Sequence, residues 1–185
     1  MPHAGTRPTS DRVRESLFGA LESMDAIAGA RVLDLYAGSG ALGLETLSRG
    51  AVSADLVEKG REAAAVVRRN AAALAKAGLP TARVHQSAVR AFLQHATGPY
   101  DLVFSDPPYD IDDDAMTADL TALAPLLSPD ALVVVERARR STPPDLVAAG
   151  LDLIREKTYG DTMLWWAEPA QSVDGAQPDV ESQSR

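Results

Sequence analysis

Short runs rich in Val and Leu alternate with helical segments over most of this chain, and that alternation limits the fold more than any other feature of the sequence. Five runs read as strands: RVLDLY (residues 31–36), SADLVE (53–58), TARVHQ (81–86), YDLVFSD (100–106) and ALVVVE (131–136). Strands of this kind that alternate with helices are typical of a parallel sheet covered on both faces. The pattern therefore predicts an α/β, doubly wound architecture.

The segments between the strands carry helical signals. A first helix is predicted from apolar residues at spacings of four and three, with two candidate N-caps before it: Val13, Leu17, Leu21 and Met24, after Thr9 and Ser10. Further helices are predicted at residues 41–48, at 61–77, from residue 88, and near 115–126. Gly78 and Pro80 end the second of these.

The rhythm changes near the end of the chain. Residues 151–157 and 162–167 are separated by Tyr-Gly-Asp, a turn signal, and predict an antiparallel hairpin that closes one edge of the sheet. The hairpin brings the expected number of strands to seven. Trp165 and Trp166 are expected to pack on the edge strand with one ring on each face, because side chains alternate along a strand.

Length and composition favour a single soluble domain. With 185 residues and 45% hydrophobic composition the chain can bury one core, and it has no Cys to form disulfides. Three scattered His residues predict no metal site, and no apolar run approaches the roughly 20 residues of a membrane helix. We expect a cytoplasmic protein, a monomer, with an N-terminal segment and helix at 1–29, a catalytic domain at 30–169 and a disordered tail at 170–185.

A glycine turn follows the first predicted strand. Gly38 and Gly40 would let the backbone bend tightly and approach a ligand, with helix amides pointing into the same crevice. Glu58 lies eighteen residues after Gly40 at the end of the second strand, where an acid can accept both hydroxyls of a ribose. The glycine string resembles the Rossmann fingerprint, so a dinucleotide site is possible, but the order of elements favours a nucleoside site.

The fourth predicted strand ends in Asp106-Pro107-Pro108-Tyr109. Ligands of open parallel sheets bind beyond the carboxyl ends of the strands, so this loop should face the glycine turn. The Asp106 carboxylate and the Pro107 carbonyl could accept both N–H bonds of an exocyclic amino group, and Tyr109 could stack on its ring. Alternatively, the segment is a rigid turn with an ordinary surface Tyr.

Taken together, Asp34-Leu-Tyr36-Ala-Gly38-Ser39-Gly40, Glu58 and the Asp-Pro-Pro-Tyr loop resemble S-adenosylmethionine-dependent amino-methyltransferases. RPTSDRVRESLFGAL (7–21) followed by DLYAGSGALGLETLSRGA (34–51) closely resembles the RsmD family, and the likeness runs from about residue 7 to residue 167. The resemblance implies a class I methyltransferase with a seven-stranded sheet and a terminal hairpin. It also implies methylation of a guanine N2 amino group in 16S rRNA of the small ribosomal subunit.

The resemblance also assigns roles to residues. Asp34, Tyr36, Gly38, Ser39 and Gly40 would line the methionine and ribose parts of S-adenosylmethionine. Glu58 would hold the ribose, and Ser87 and Ala88 the adenine edge. Asp106, Pro107 and Tyr109 would hold the guanine amino group.

Two groups of Arg residues are candidates for RNA contact. Arg7, Arg12 and Arg14 lie at the start of the first helix, and Arg137, Arg139 and Arg140 follow the fifth strand. The net charge of −8 means that any contact with RNA must be local. RsmD-like chains carry a basic stretch before the RPTSDR motif, whereas only six residues precede the motif here. We therefore expect either that the start is truncated or mis-assigned, or that RNA docking relies on fewer basic residues.

The sequence is also compatible with other functions. A DNA-adenine or protein-glutamine methyltransferase would use a similar loop, although neither is expected to carry RPTSDRVRE. A cofactor-binding module that docks on ribosomal RNA without turnover is a further alternative. A dehydrogenase is disfavoured, because nothing in the sequence resembles a hydride-transfer site.

Overall fold

A computed structural model describes residues 11–171, and within them the chain forms one seven-stranded sheet. The strands are β1 (Arg31–Asp34), β2 (Ser53–Val57), β3 (Ala82–His85), β4 (Tyr100–Ser105), β5 (Leu127–Ala138), β6 (Leu151–Tyr159) and β7 (Thr162–Pro169). Their order is β3-β2-β1-β4-β5-β7-β6. The first five pair in parallel, whereas β7 pairs antiparallel with both β5 and β6. The predicted doubly wound sheet with a terminal hairpin is confirmed.

The helices are α1 (Asp11–Ser23), α2 (Ala41–Ser48), α3 (Arg61–Lys76), α4 (Val89–Leu93) and α5 (Asp113–Leu123), followed by a 3-10 turn at Ala124–Leu126. Met24 lies beyond α1 and is 39% exposed. The prediction that it belongs to the apolar face of the first helix was therefore wrong. The candidate caps Thr9 and Ser10 lie outside the described residues. The start of α5 comes earlier than predicted, because the carboxylate of Asp112 accepts the N–H of Ala115 and caps it.

The sheet separates two apolar cores. On one face α1, α2 and α3 cover the sheet, and Phe18 of α1 packs against Phe104 of β4 with ring centroids 6.4 Å apart. On the other face α4 and α5 cover it. The residues of α1 belong to the same core as the sheet, so the helix packs as part of one body with it. The predicted division at residue 29 stays a prediction. No helix among the described residues is long and apolar enough to cross a membrane.

The two tryptophans lie on opposite faces of β7, as the alternation predicted. Trp166 belongs to the core under α1, and Trp165 to the core under α5. The expectation that they sit on the edge strand was wrong, because β7 inserts between β5 and β6 and leaves β6 at the edge. Both rings are therefore buried in the sheet interior.

The strand β5 begins four residues earlier and ends two residues later than predicted. Its first part, Leu127 to Asp130, contains Ser, Pro and Asp, which favour turns in a sequence. Pairing with Tyr100 across a register shift in β4 draws this segment into the sheet. Tertiary pairing thus overrides the local turn signal.

Candidate active site

The carboxyl ends of β1, β2 and β4 are held side by side by backbone hydrogen bonds beyond the strands. Leu35 donates to the carbonyl of Phe104 at 3.0 Å, and Ala37 donates to that of Val57 at 2.9 Å. The segment that follows β1 therefore leaves the sheet between the ends of its two neighbours. This is the crevice in which open parallel sheets bind ligands.

The glycine turn has the backbone conformation that the sequence predicted. Gly38 and Gly40 have φ angles of 57° and 84°, in the left-handed region that favours glycine, and Gly40 caps α2. A Cβ at Gly38 would meet no atom within 4 Å, so this face of the backbone is open to a ligand. Asn70 of α3, which sequence reasoning missed, donates to the carbonyl of Ser39 at 3.0 Å and holds the turn from the other side.

Glu58 joins the glycine turn to the end of β2. Its Oε2 accepts the N–H of Gly38 at 3.0 Å, and its Oε1 accepts the N–H of Gly60. A carboxylate has about four lone-pair sites, so two bonds leave capacity for further donors. The side chain thus lies beside the glycine turn and can still accept hydroxyl groups, whereas its contact with a ribose stays a prediction.

The end of β3 continues this row. Ser87 donates its N–H to the carbonyl of Glu58 at 3.2 Å, and its hydroxyl donates to the carbonyl of Ala88 at 3.0 Å. Ala88 has an extended conformation and starts α4. The structure therefore brings these two predicted residues next to Glu58, on the side away from β1.

Asp34 lies beneath the turn and is 2% exposed. Its Oδ2 accepts the N–H of Gly43 at 3.1 Å and so fixes α2 to β1. Burial, together with the nearby carboxylates of Asp106 and Glu58, raises the pKa of Asp34 to about 7. Its visible contact is with the helix, which supports the turn; a direct contact with cofactor stays a prediction.

Tyr36 is held by residues that the sequence reasoning did not single out. Its hydroxyl donates to Oδ2 of Asp119 at 3.2 Å, and Arg90 donates from Nε to Oδ1 of the same carboxylate at 2.7 Å. Arg90 belongs to α4 and Asp119 to α5, so this contact ties the end of β1 to both helices of one face. Burial and the Asp119 charge raise the pKa of Tyr36, which keeps it a neutral donor.

The Asp-Pro-Pro-Tyr loop presents acceptors that have no donor in the part of the chain that the structure describes. Within residues 11–171, neither the Asp106 carboxylate nor the Pro107 carbonyl accepts a hydrogen bond. Burial raises the pKa of Asp106 to about 6. Tyr109 is 80% exposed, and Ile111 donates to the carbonyl of Pro108 at 3.1 Å to close the turn. Two adjacent acceptors beside an exposed ring suit a planar group that carries two N–H donors.

Arg137 holds the far end of this loop. The side chain is buried, and its Nη1 donates to Asp113 in the first turn of α5 and to the carbonyl of Thr142, each at 2.7 Å. The suggestion that Arg137 contacts RNA phosphate is wrong, because the guanidinium is enclosed and already paired. Arg139 and Arg140, which follow after Ala138, are exposed.

The arginines of the first helix differ from one another. Arg14 makes ion pairs with Asp11 at 3.0 Å and with Glu45 of α2 at 3.1 Å. Arg12 is exposed, and Arg7 lies outside the described residues. Contact of these three arginines with RNA stays a prediction, and Arg14 would have to exchange carboxylates for phosphate.

Apart from the crevice at the carboxyl ends of the strands, a cavity of about 440 Å³ lies beside β3 and α4. Behind it, the buried carboxylate of Asp55 accepts bonds from Arg83, His85 and Tyr100. These bonds lower the pKa of Asp55 despite its burial. The group is internally satisfied, and the part of the chain that the structure describes contains no cluster of His and acidic residues able to hold a metal.

Comparison with known proteins identifies this arrangement. A family model described as "Conserved hypothetical protein 95" matches residues 1–168. An Escherichia coli (strain K12) protein named Ribosomal RNA small subunit methyltransferase D is 42% identical over 156 residues, which cover 84% of this chain and 76% of that protein. A solved conserved hypothetical protein from Streptococcus pyogenes is 35% identical with a TM-score of 0.71, covering 82% of this chain and 94% of the other.

The fold is shared more widely. Magnesium protoporphyrin IX methyltransferase from Synechocystis PCC 6803, solved with bound SAM, has a TM-score of 0.70 at 15% identity, covering 90% of this chain and 87% of the other. At that identity the likeness concerns the fold alone. The sheet order and the glycine turn at its carboxyl edge define the class I methyltransferase fold. Within that class, the chain belongs to the RsmD family, the family of the "Conserved hypothetical protein 95" model.

Proposed function

We propose that this protein transfers a methyl group from S-adenosylmethionine to the N2 amino group of a guanine in 16S rRNA of the small ribosomal subunit. The observation that carries the proposal is the pair of acceptors at Asp106 and Pro107, beside the glycine turn, to which no residue within 11–171 donates a hydrogen bond. An exocyclic amino group has two N–H donors and a delocalised lone pair. Binding both donors would turn the lone pair toward a methyl donor.

The residues at the carboxyl edge fit the cofactor. Glu58 has lone pairs left for ribose hydroxyls, Gly38 offers an open backbone face, and Ser87 and Ala88 lie beside them for the adenine edge. Bound there, S-adenosylmethionine would supply an electrophilic methyl group. The glycine turn is already held in place by Glu58, Asp34 and Asn70. Binding of the cofactor would therefore lose less conformational entropy.

The loop residues would act on the base. A guanine must leave its stack to bring N2 to the Asp106 carboxylate, and the exposed ring of Tyr109 would receive it. Base–aromatic stacking contributes about 1–3 kcal/mol. The carboxylate of Asp106 would orient one N–H of the amino group and take its proton as the new bond forms.

The substrate class is supported by the relatives. The proteins from Escherichia coli and Haemophilus influenzae that this chain resembles, at 42% and 34% identity, are named for ribosomal RNA of the small subunit. Arg12 and Arg14, with Arg7 ahead of them, are the proposed phosphate contacts at the start of α1. Methylation of an amino group in DNA or protein would use the same acceptors at Asp106 and Pro107, but the names of these relatives do not support it.

The test is to incubate the protein with labelled S-adenosylmethionine and small subunits that lack the modification, and then to map the label. We expect one guanine labelled at N2. Asp106→Asn should retain cofactor binding by calorimetry while turnover falls by orders of magnitude, since positioning can contribute about 7–11 kcal/mol to lowering a barrier. Parental turnover in that variant, or a label on DNA or protein instead, would contradict the proposal.

A further inference from the structure

The acidic surface of this protein raises the question of where RNA phosphates can lie. Five arginines among the described residues are neutralised by carboxylates: Arg14, Arg49, Arg83, Arg90 and Arg137. Arg155 and Lys157 on the edge strand β6 differ, because neither makes an ion pair within residues 11–171. Both side chains are exposed.

Aromatic rings hold these two charges in place. The guanidinium of Arg155 lies 4.9 Å from the centroid of the Trp166 ring, and the ammonium of Lys157 lies 4.8 Å from that of Tyr159. A cation over a ring keeps its charge available to an anion on its outer side, unlike one that is paired with a carboxylate. The acid between them in β6, Glu156, points to the other face, because it stands opposite Trp165. Glu136 of β5 lies on the same face as Lys157, two strands away across Leu164.

The register of the sheet places this pair level with the catalytic loop. Ser105, the residue before Asp106, pairs with Val135 of β5. The residue after Val135 is Glu136, which pairs with Leu164 of β7. Leu164 pairs in turn with Lys157 of β6. Lys157 is therefore three strands to the side of Asp106. At about 4.8 Å per strand the separation is about 14 Å, which lies within a nucleic-acid interface of ordinary size.

The same face continues to the start of α1. The hydroxyls of Ser16 and Tyr159 are hydrogen-bonded at 2.8 Å, so this part of α1 lies against the end of β6. Arg12 is one helical turn before Ser16 and is exposed. Arg155, Lys157 and Arg12 thus form a basic strip along one side of the crevice.

We infer that this basic strip, and chiefly its edge-strand pair Arg155 and Lys157, binds the phosphate backbone of the RNA that carries the target base. The inference rests on the proposed function for its partner. The cofactor residues occupy the β1, β2 and β3 side of the crevice, so an RNA substrate must approach from the β5, β7 and β6 side. The strip supplies accessible positive charge on that side.

The experiment compares two double variants with equal loss of charge. Arg155→Gln with Lys157→Gln keeps the aliphatic stems over the rings, whereas Arg68→Gln with Arg69→Gln removes two exposed charges from α3, over the other half of the sheet. Binding of unmodified small subunits is measured over a range of salt concentrations. Methyl transfer and S-adenosylmethionine affinity are measured alongside.

For the strip variant we expect the magnitude of the slope of log affinity against log salt to fall by about 1.4–1.8, because each of the two lost phosphate contacts contributes about 0.7–0.9 to it. KM for the subunit should rise, with kcat and cofactor affinity unchanged, and the α3 variant should match the parent. Parental slope and KM in the strip variant, or equal losses in both variants, would overturn the inference. If the parent itself neither binds nor methylates the subunit, it is the proposed function that fails.

Discussion

The carboxylate of Glu58 accepts the backbone N–H of Gly38 at 3.0 Å, which makes one side chain both a support of the glycine turn and a candidate ligand of the ribose. A residue with these two roles should matter to cofactor binding more than a simple hydrogen-bond partner. Its second oxygen is fixed by Gly60, so the carboxylate cannot easily rotate away from the crevice.

Glu58→Ala should weaken S-adenosylmethionine binding by about 1–3 kcal/mol, the range for removing a partner of buried polar groups. That corresponds to about 5- to 150-fold in Kd, measured by calorimetry. Glu62→Ala, an acid in the first turn of α3, serves as the control and should bind as the parent does. Equal affinities in all three proteins would show that Glu58 does not hold the cofactor.

The pH dependence of methyl transfer should report Asp106. Burial raises the pKa of this carboxyl to about 6, and only the ionised form accepts an N–H with both oxygens and takes a proton. We expect kcat/KM to be level above pH about 7 and to fall about tenfold per pH unit well below 6. A profile that stays level to pH 5, with the protein still folded by circular dichroism, would argue against a catalytic carboxylate at this position.

Stability should depend on pH through Asp34. Its pKa is about 7 in the folded protein against 3.8 for an ordinary Asp side chain. The stability that the protonated form contributes is therefore lost as pH rises toward 7 and above. Asp34→Asn keeps an oxygen for the Gly43 N–H and stays neutral. Relative to the parent, the variant should therefore gain about 2–3 kcal/mol in the free energy of unfolding between pH 5 and pH 8. Urea denaturation at both pH values measures this, and a constant difference would contradict it.

Gly43 is required by packing, not by backbone conformation. A Cβ at this position would lie 2.2 Å from Cδ2 of Leu56 and 3.2 Å from Cβ of Asp34, so α2 could not approach the sheet. Gly43→Ala should destabilise the protein by about 1–3 kcal/mol. Gly19→Ala in α1, whose Cβ would meet nothing within 4 Å, should instead stabilise it by about 0.5–1 kcal/mol. Thermal unfolding of the two variants should thus shift in opposite directions.

Arg137 should influence turnover without touching the substrate. It fixes Asp113 and the Thr142 carbonyl, and so holds the segment between Asp106 and α5. Arg137→Met should lower kcat by about 10- to 100-fold, because small displacements of a reacting pair are costly, while cofactor affinity changes little. Arg140→Met, at an exposed position, is the matched control. A fall in cofactor affinity as large as the fall in kcat would indicate general loosening of the fold instead.

Most of the architecture followed from local sequence. Val- and Leu-rich runs indicated the central strands, and a turn signal indicated the final hairpin, so the existence of seven strands was predictable. The turn at Gly38 and Gly40 was predictable because positive φ angles favour glycine. The early part of β5 was not, because its Ser, Pro and Asp favour a turn until Tyr100 pairs with it. The position of β7 between β5 and β6 was also missed, since spacing shows that two strands form a hairpin but not which of them joins the sheet.

The candidate site divides in the same way. The sequence by itself determined which residues end the strands, because motif order places Glu58, Ser87 and Asp106 at successive carboxyl ends. Only the tertiary structure decided what supports them: Asn70 on the turn, Asp119 and Arg90 on Tyr36, and the enclosure of Arg137. These contacts join residues far apart in the chain, and hydrogen bonding and burial at such distances leave no periodic trace in sequence. Whether an arginine is a buried clamp or a free surface charge depends on what the fold packs around it.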